Sequence, residues 1–503
     1  MKNVLVFSMG GHEFQEACQY EAALEQSKLG NEVFFLYCDG SLGICGDNRR
    51  CSSVKCKTCR FLFNRRRKKF LNSNIHQIPL SQFLSKDSQN ELSNISFNYQ
   101  NSEELKNIHY HDIDIGFGAL SSYITWTRNL NPIISKDVRS FFDLLLASEI
   151  KLTMVLEEAL SLYKIDLVVF HNGRYAYYKP AYRLAQLKGI PYICTETAFD
   201  LNRNVYREFI DNDIPHSVDF WTKKMNRYWD KDTNIDKRNK LAESFFKNRR
   251  NAKFSGDKIY IENQIAGKLP EGFDKEVENI AIFNSSEDEF GAIGEEVAKY
   301  ALFKSQYDGI VAIAEKYKND KTKHFYLRIH PNLNNVPFDY HVNLYKLDYP
   351  NLTVIPGTSD ISSYSLMEAV DKVIVFGSTM GVESAYWKKP VICLSFAFYY
   401  NLGCVYTPKT VEETWKLIET KNLPLLDTNA SLKFGYAILT PEKEHFHYVN
   451  MDGSNLMIRG KGKFYPSINK FLGSIKLSYI VSKAILHLFY SFPNTGRFTR
   501  VPV

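Results

Sequence analysis

The sequence predicts an α/β protein built from two doubly wound, Rossmann-like domains facing across a cleft. Three observations carry that expectation. Short β-rich apolar runs alternate with helix-length segments, small-residue turns follow several of the runs, and the alternation is broken by the turn-rich Gly267-Lys268-Leu269-Pro270-Glu271-Gly272. The first half opens with a strand over 4–7, the turn Ser8-Met9-Gly10-Gly11-His12, a helix with Phe14, Ala17, Cys18 and Ala22 on one face, and a strand over 33–37. The same order recurs as a strand over 165–170, the loop His171-Asn172-Gly173-Arg174, a helix near 180–187 and a strand over 191–194. Past the turn come strands over 280–283, 325–329, 352–355, 372–376 and 390–395, with helices expected over 293–317 and 363–369 and one running through Trp387. The domains are therefore placed at 1–266, with a Cys-rich insertion over 38–69, and at 273–440, followed by an extension over 441–503.

At 503 residues with 44% hydrophobic and 24% charged side chains, the composition is that of a globular protein rather than a fibrous or disordered one. The excess of 63 Lys+Arg over 56 Asp+Glu, +7, suits anionic substrates or an acidic membrane surface better than bulk nucleic-acid coating. The first apolar run is too short for a signal-peptide core, and no apolar run reaches the length of a membrane span. The expected location is the cytoplasm, with peripheral contact at the inner face of the cell membrane.

Parallel sheets bind ligands outside the carboxyl ends of their strands, so the strand-end loops are the candidate site. In the second half, Arg328-Ile329-His330-Pro331 stands about fifty residues before Gly377-Ser378-Thr379-Met380-Gly381. Small residues let backbone N–H groups approach a phosphate, and the Ser378 and Thr379 hydroxyls add donors. Glu383, one helical turn further, is a candidate for the ribose hydroxyls, and Ser285 and Ser286 are candidates for the same pocket. The plainer roles are a strand-end histidine bonded to backbone, a helix cap at 378–379 and an acidic first turn at 287–289.

These residues resemble bacterial GT-B glycosyltransferases of surface-polysaccharide synthesis, in particular the capsule-synthesis and Kdo-transferase-like group with its His-Pro motif and later Ser/Thr-rich loop. The resemblance runs over about 280–395. It implies that His330, Ser378 and Thr379 grip the phosphate of a nucleotide-sugar donor and that the acceptor is a surface glycan or a lipid-linked glycan. It also implies that protein dipoles and basic groups, rather than a bound cation, stabilise the leaving phosphate.

In the first half, His12 follows Gly10-Gly11 at a strand end, where a neutral imidazole can take a proton from an acceptor hydroxyl. His171 with Arg174, and Glu196, occupy further strand ends and are alternative base or acceptor contacts. Cys38, Cys45, Cys51, Cys56 and Cys59 fall within 22 positions. A tetrahedral zinc site with Cys56 and Cys59 as the close pair and Cys38 and Cys45 completing it competes with simple buried thiols. The adjoining run from Arg60 to Lys69 reads as a solvated helix face, a contact for anionic lipid headgroups, or, beside a zinc site, a nucleic-acid surface. A stripe of Ile468, Phe471, Leu472, Ile475 and Tyr479 fits a membrane-surface helix or one packing back onto the domains. The competing functions are a nucleotide-sugar epimerase or polyol-phosphate transferase on the same fold, and a zinc-containing nucleic-acid-binding protein.

Overall fold

In a computed structural model, residues 1–503 are described except 86–89, 93, 200–203, 256–258, 441–443, 453–454 and 459–499. The stripe at 468–479 lies outside the described residues. The chain forms two compact units, one comprising 1–199, 203–215 and 444–503, the other 200–202 and 216–443.

The first unit is built on a six-stranded sheet of order β3-β2-β1-β4-β5-β6. Its strands are β1 (Asn3–Ser8), β2 (Glu32–Tyr37), β3 (Ile75–Pro79), β4 (Leu167–His171), β5 (Tyr192–Phe199) and β6 (Val205–Asp211). All pairings are parallel except β5 with β6. The central strands are continuous Val/Leu/Phe runs because both faces are covered, which is why the sequence shows no polar alternation there. The covering helix α1 (Glu13–Lys28) presents Ala17, Ala22 and Ala23, small enough for close approach to the sheet. Tyr20, also on α1, stacks on Phe35 and Phe70 at 5.7 and 5.3 Å between ring centroids. Phe70 ends a second helix, α2 (Ser53–Phe70), whose first turn is capped by Ser52 Oγ accepting the Lys55 N–H at 3.3 Å.

The second unit carries a five-stranded, wholly parallel sheet of order β11-β10-β7-β8-β9. Its strands are β7 (Glu278–Phe283), β8 (Lys323–Arg328), β9 (Leu352–Ile355), β10 (Lys372–Val375) and β11 (Val391–Cys393). In both sheets the strand order reverses beside the first strand, at β1/β4 and at β7/β10, the crevice position of a doubly wound fold. The two Rossmann-like sheets thus follow the expected α/β class, and their topology rests on this strand order.

Three readings of the sequence are corrected. The boundary falls at 215/216 rather than 267–272, because the Lys- and Asn-rich stretch hides two amphipathic helices, Val218–Lys231 and Ile235–Arg250. Their Val218, Met225, Phe245 and Phe246 join the second unit's core with Phe434 of the Ala430–Leu439 helix. The chain then returns to the first unit from 444 onward, where Glu21 accepts the N–H groups of Tyr448 and Val449 at 2.9 and 3.0 Å. Finally, the helix expected over 293–317 is broken, because Gly294 at φ 79° ends Glu287–Ile293 and a fresh helix starts at Gln306 under the Ser305 cap. A two-stranded antiparallel sheet, β12 (Val449–Asp452) with β13 (Asn455–Ile458), follows. Among the described residues no helix is long and apolar enough to cross a membrane.

Candidate functional site

At the carboxyl end of β1 the chain turns through Gly10 and Gly11, both at positive φ (69° and 90°), and delivers His12 ahead of α1. His12 Nε2 lies 2.9 Å from Asp47 Oδ1, with His12 half exposed. The hydrogen bond to Asp47 raises the His12 pKa above its ordinary value, against the opposing effect of burial. Asp47 comes from the loop after β2, and it occupies space that only a glycine leaves open: a Cβ on Gly11 would stand 1.6 Å from Asp47 Oδ2. The turn is held from below by Glu16, whose Oε1 accepts the Gly11 N–H at 2.9 Å while Arg66 and the Tyr20 hydroxyl bond the carboxylate.

Next to it, at the ends of β4 and β5, Asn172 Nδ2 donates to Glu196 Oε1 at 2.7 Å, and His171 Nε2 stands 3.9 Å from the same oxygen. His171 is buried, which pushes its pKa down, and its Nδ1 has no partner among the described residues. Arg174, expected beside His171, instead directs its guanidinium to Thr125 Oγ1 (3.1 Å) and the Tyr175 hydroxyl (3.0 Å).

The four candidate thiols lie near one another, with Cys38 in electrostatic reach of Cys45, Cys56 and Cys59. Among the described residues no group of three or more His, Cys, Asp or Glu side chains is gathered to hold a metal ion. Cys38 and Cys56 instead bracket one glycine, Cys38 Sγ accepting the Gly40 N–H at 3.4 Å and the Cys56 thiol facing the Gly40 carbonyl at 4.0 Å. Burial pushes the thiols of Cys38, Cys45, Cys56 and Cys59 up, Cys45 to about 11 and Cys59 to about 12.

In the second unit, the loops after β10, β7 and β8 stand side by side because those strands are neighbours. His330 N donates to Asn284 Oδ1 at 2.9 Å, tying the β8 loop to the β7 loop. His330 Nδ1 accepts the Asn332 N–H at 3.1 Å, which in the neutral ring puts the proton on Nε2. Asn332 Nδ2 reaches Ser286 Oγ at 3.1 Å and Glu289 Oε1 at 3.2 Å. Ser285 N donates to Gln306 Oε1 at 2.8 Å. Glu287, half-buried, accepts the Gln306 N–H at 3.0 Å and is pushed up to about 7 by desolvation. In the β10 loop, Gly377 (φ 82°) allows a close approach, since a Cβ there would lie 2.2 Å from the Phe396 carbonyl oxygen and 2.4 Å from Phe290. Ser378 Oγ accepts the Met380 N–H at 3.3 Å, and the N–H groups of Ser378 and Thr379 take no partner among the described residues.

The structure therefore brings Ser285, Ser286, His330, Ser378 and Thr379 to one sheet edge. Arg328 and Glu383 are corrected. The Arg328 guanidinium is consumed by the Pro356 and Ser359 carbonyls (3.0 Å to the latter) and by Ser363 Oγ (3.4 Å), and burial lowers its pKa to about 10. Glu383, 1% exposed, is bonded by the Tyr364 hydroxyl and by Arg249 Nε at 2.9 Å, so its carboxylate serves a buried ion pair rather than a ribose. Sequence reasoning missed Arg249, which also approaches Thr379 Oγ1 at 3.4 Å, and Asp47. A signal for Asp47 existed: β2 neighbours β1, so the loop after β2 must pass the His12 turn.

Residues 296–435 match the family model described as capsule polysaccharide biosynthesis protein. The expected resemblance to capsule-synthesis proteins is borne out over that stretch. No curated protein sequence matches the chain. Among solved structures, the chain is similar to KpsC of Thermosulfurimonas dismutans, a beta Kdo 2,4 transferase, at 16% identity over 54% of this chain and 79% of that one, with a TM-score of 0.35. It is also similar to the UDP-GlcNAc 2-epimerase of Neisseria meningitidis bound to UDP-GlcNAc, at 14% identity over 88% and 99% of the two chains, with a TM-score of 0.23.

Proposed function

We propose that this protein is a GT-B-type glycosyltransferase of capsule or related surface-polysaccharide assembly, moving a sugar from a nucleotide-activated donor to a glycan or lipid-linked acceptor. One observation carries the reading: within and beside the segment matching the capsule family, three adjacent strand ends present small hydroxyl, amide and imidazole donors to one place. As the sugar–phosphate bond breaks, negative charge grows on the departing nucleotide, and donors already oriented toward it lower the barrier. His330 Nε2–H, the hydroxyls of Ser378 and Thr379 and their backbone N–H groups are assigned that task, with Ser285 and Ser286 lining the same pocket.

The first unit is assigned the acceptor. With the Nε2 proton of neutral His12 directed at Asp47, the Nδ1 lone pair is the one that takes the acceptor hydroxyl's proton. The charge that then forms on the imidazole is met by the Asp47 carboxylate. Glu196 and Asn172 supply hydrogen bonds to acceptor hydroxyls.

The test is a thermal-stabilisation screen with UDP-, GDP-, CMP- and dTDP-sugars against the wild type and His330→Ala, followed by product analysis. A donor at a hundred times its Kd stabilises by about 2.7 kcal/mol, and His330→Ala should need a severalfold higher concentration for the same shift. Equal stabilisation of both proteins by every nucleotide would remove His330 from the pocket. Turnover of the donor sugar without an acceptor would assign an epimerase instead.

A further inference from the structure

Helix α2 is strongly basic, and the transfer reaction assigns it no task. It holds eight Lys or Arg in 18 residues and no acidic one. Its inner face is committed to the fold: Phe63 and Phe70 enter the core, Arg66 bonds Glu16, and Arg67 lies over the Tyr37 ring at 3.8 Å. The outer face is a different surface. At 100° per residue, Lys57, Phe61, Arg65 and Lys68 form one narrow stripe, with Leu62 and Lys69 beside it. All six are exposed; Phe61 is 60% and Leu62 37% open to solvent, and the Arg65 guanidinium sits 5.6 Å from the Phe61 ring.

We propose that this outer face docks on a bilayer containing anionic lipid, the cations meeting phosphate headgroups while Phe61 and Leu62 enter the interface. Charge complementarity selects the occupant. Each Lys or Arg near an anionic leaflet strengthens binding about fivefold, and an apolar pair set among cations is the pattern of a helix that lies in the interface plane. A nucleic-acid backbone would use the cations but offers an exposed Phe-Leu pair no apolar medium to enter.

The docking goes beyond the transferase reading, yet bears on it through contacts within this unit. Phe63 lies directly beneath Gly10, where a Cβ would stand 2.8 Å from its ring, and Arg66 fixes the Glu16 that holds the Gly11 N–H. The inner face of α2 thus grips the turn that carries His12. A membrane on the outer face lies about one helix diameter away, roughly 10 Å, within reach of an acceptor whose anchor stays in the lipid.

The experiment is co-sedimentation of the full chain with vesicles of phosphatidylcholine alone or with about 30 mol% phosphatidylglycerol, at rising salt. Binding is expected only to the anionic vesicles and should weaken as salt rises. The triple variant Lys57→Gln, Arg65→Gln, Lys68→Gln should melt like the wild type and bind on the order of a hundredfold more weakly. Phe61→Ser should lose about tenfold while keeping the salt dependence. Equal binding to uncharged vesicles, or a triple variant that binds unchanged, overturns the proposal. So does a labelled single-stranded RNA that binds where anionic vesicles do not. Nucleotide-sugar stabilisation is read separately, so failure here leaves the donor assignment standing.

Discussion

The two sheets offer the same topological platform and equip it differently. At β1/β4 the strand ends carry imidazoles and carboxylates in partly open pairs, His12 with Asp47 and His171 with Glu196. At β7/β10 charges are buried and mutually spent, as in Arg249–Glu383, while the loops carry buried or half-buried hydroxyls and amides. The first arrangement pairs titratable side chains; the second, apart from His330 and Glu287, gathers neutral hydroxyls and amides. Strand order fixes where the loops gather, and the loops alone decide which chemical groups stand there.

The largest expected effect comes from breaking the spent pair. Glu383→Ala strands the Arg249 guanidinium in a buried place, and loss of one partner there should cost about 3 to 5 kcal/mol, read by denaturant unfolding. A cost below 1 kcal/mol would mean that the second unit's charges are not interlocked and that the contrast between the units is drawn too sharply.

A smaller and more specific effect concerns the titrating pair. Asp47→Asn should return the His12 pKa toward its ordinary value, measured by NMR of the ring protons. Because the folded-state pKa of His12 is raised, the pair's contribution to stability is fully present below the unfolded pKa, about 6.5, and disappears as pH rises through the folded value. The difference in melting temperature between wild type and Asp47→Asn should therefore be greatest at about pH 5 to 6 and shrink on the alkaline side. A difference that does not change with pH would sink the dyad.

The smallest effect sharpens the comparison from the other side. Glu287 is the second unit's titrating exception, with a folded pKa of about 7 because its charged form is desolvated. A carboxyl raised in the fold favours the protonated state, so stability should decline from about pH 4.5 to 7. Glu287→Gln, which keeps the amide oxygen facing the Gln306 N–H, should flatten that slope and shift the melting temperature by a few degrees at about pH 7. An unchanged slope would make the site wholly non-titrating.

The strands that run as buried Val, Ile and Phe stretches were legible in the sequence because covering both faces of a parallel sheet leaves little room for polar residues. The edge strands β3 and β6 were not: Ile75–Pro79 is short and mixed, and Val205–Asp211 runs in apolar and charged pairs rather than alternating singly. The strand-end loops of the second unit were readable because Gly377, Ser378 and His330-Pro331 carry local turn chemistry. Arg328 and Glu383 misled because an arginine facing carbonyls and one facing phosphate have the same one-dimensional appearance. Burial separates them, and burial is a property of the folded packing. Asp47 and Arg249 reach their sites from loops and helices distant in sequence, so no spacing rule finds them.

The close packing of Gly11 against Asp47 has one more consequence. The missing methyl and the carboxylate oxygen compete for one volume, and the φ of 90° at Gly11 independently disfavours a side chain there. Gly11→Ala therefore carries two penalties, displacement of the aspartate and backbone strain, and shortening residue 47 in the same chain relieves only the first.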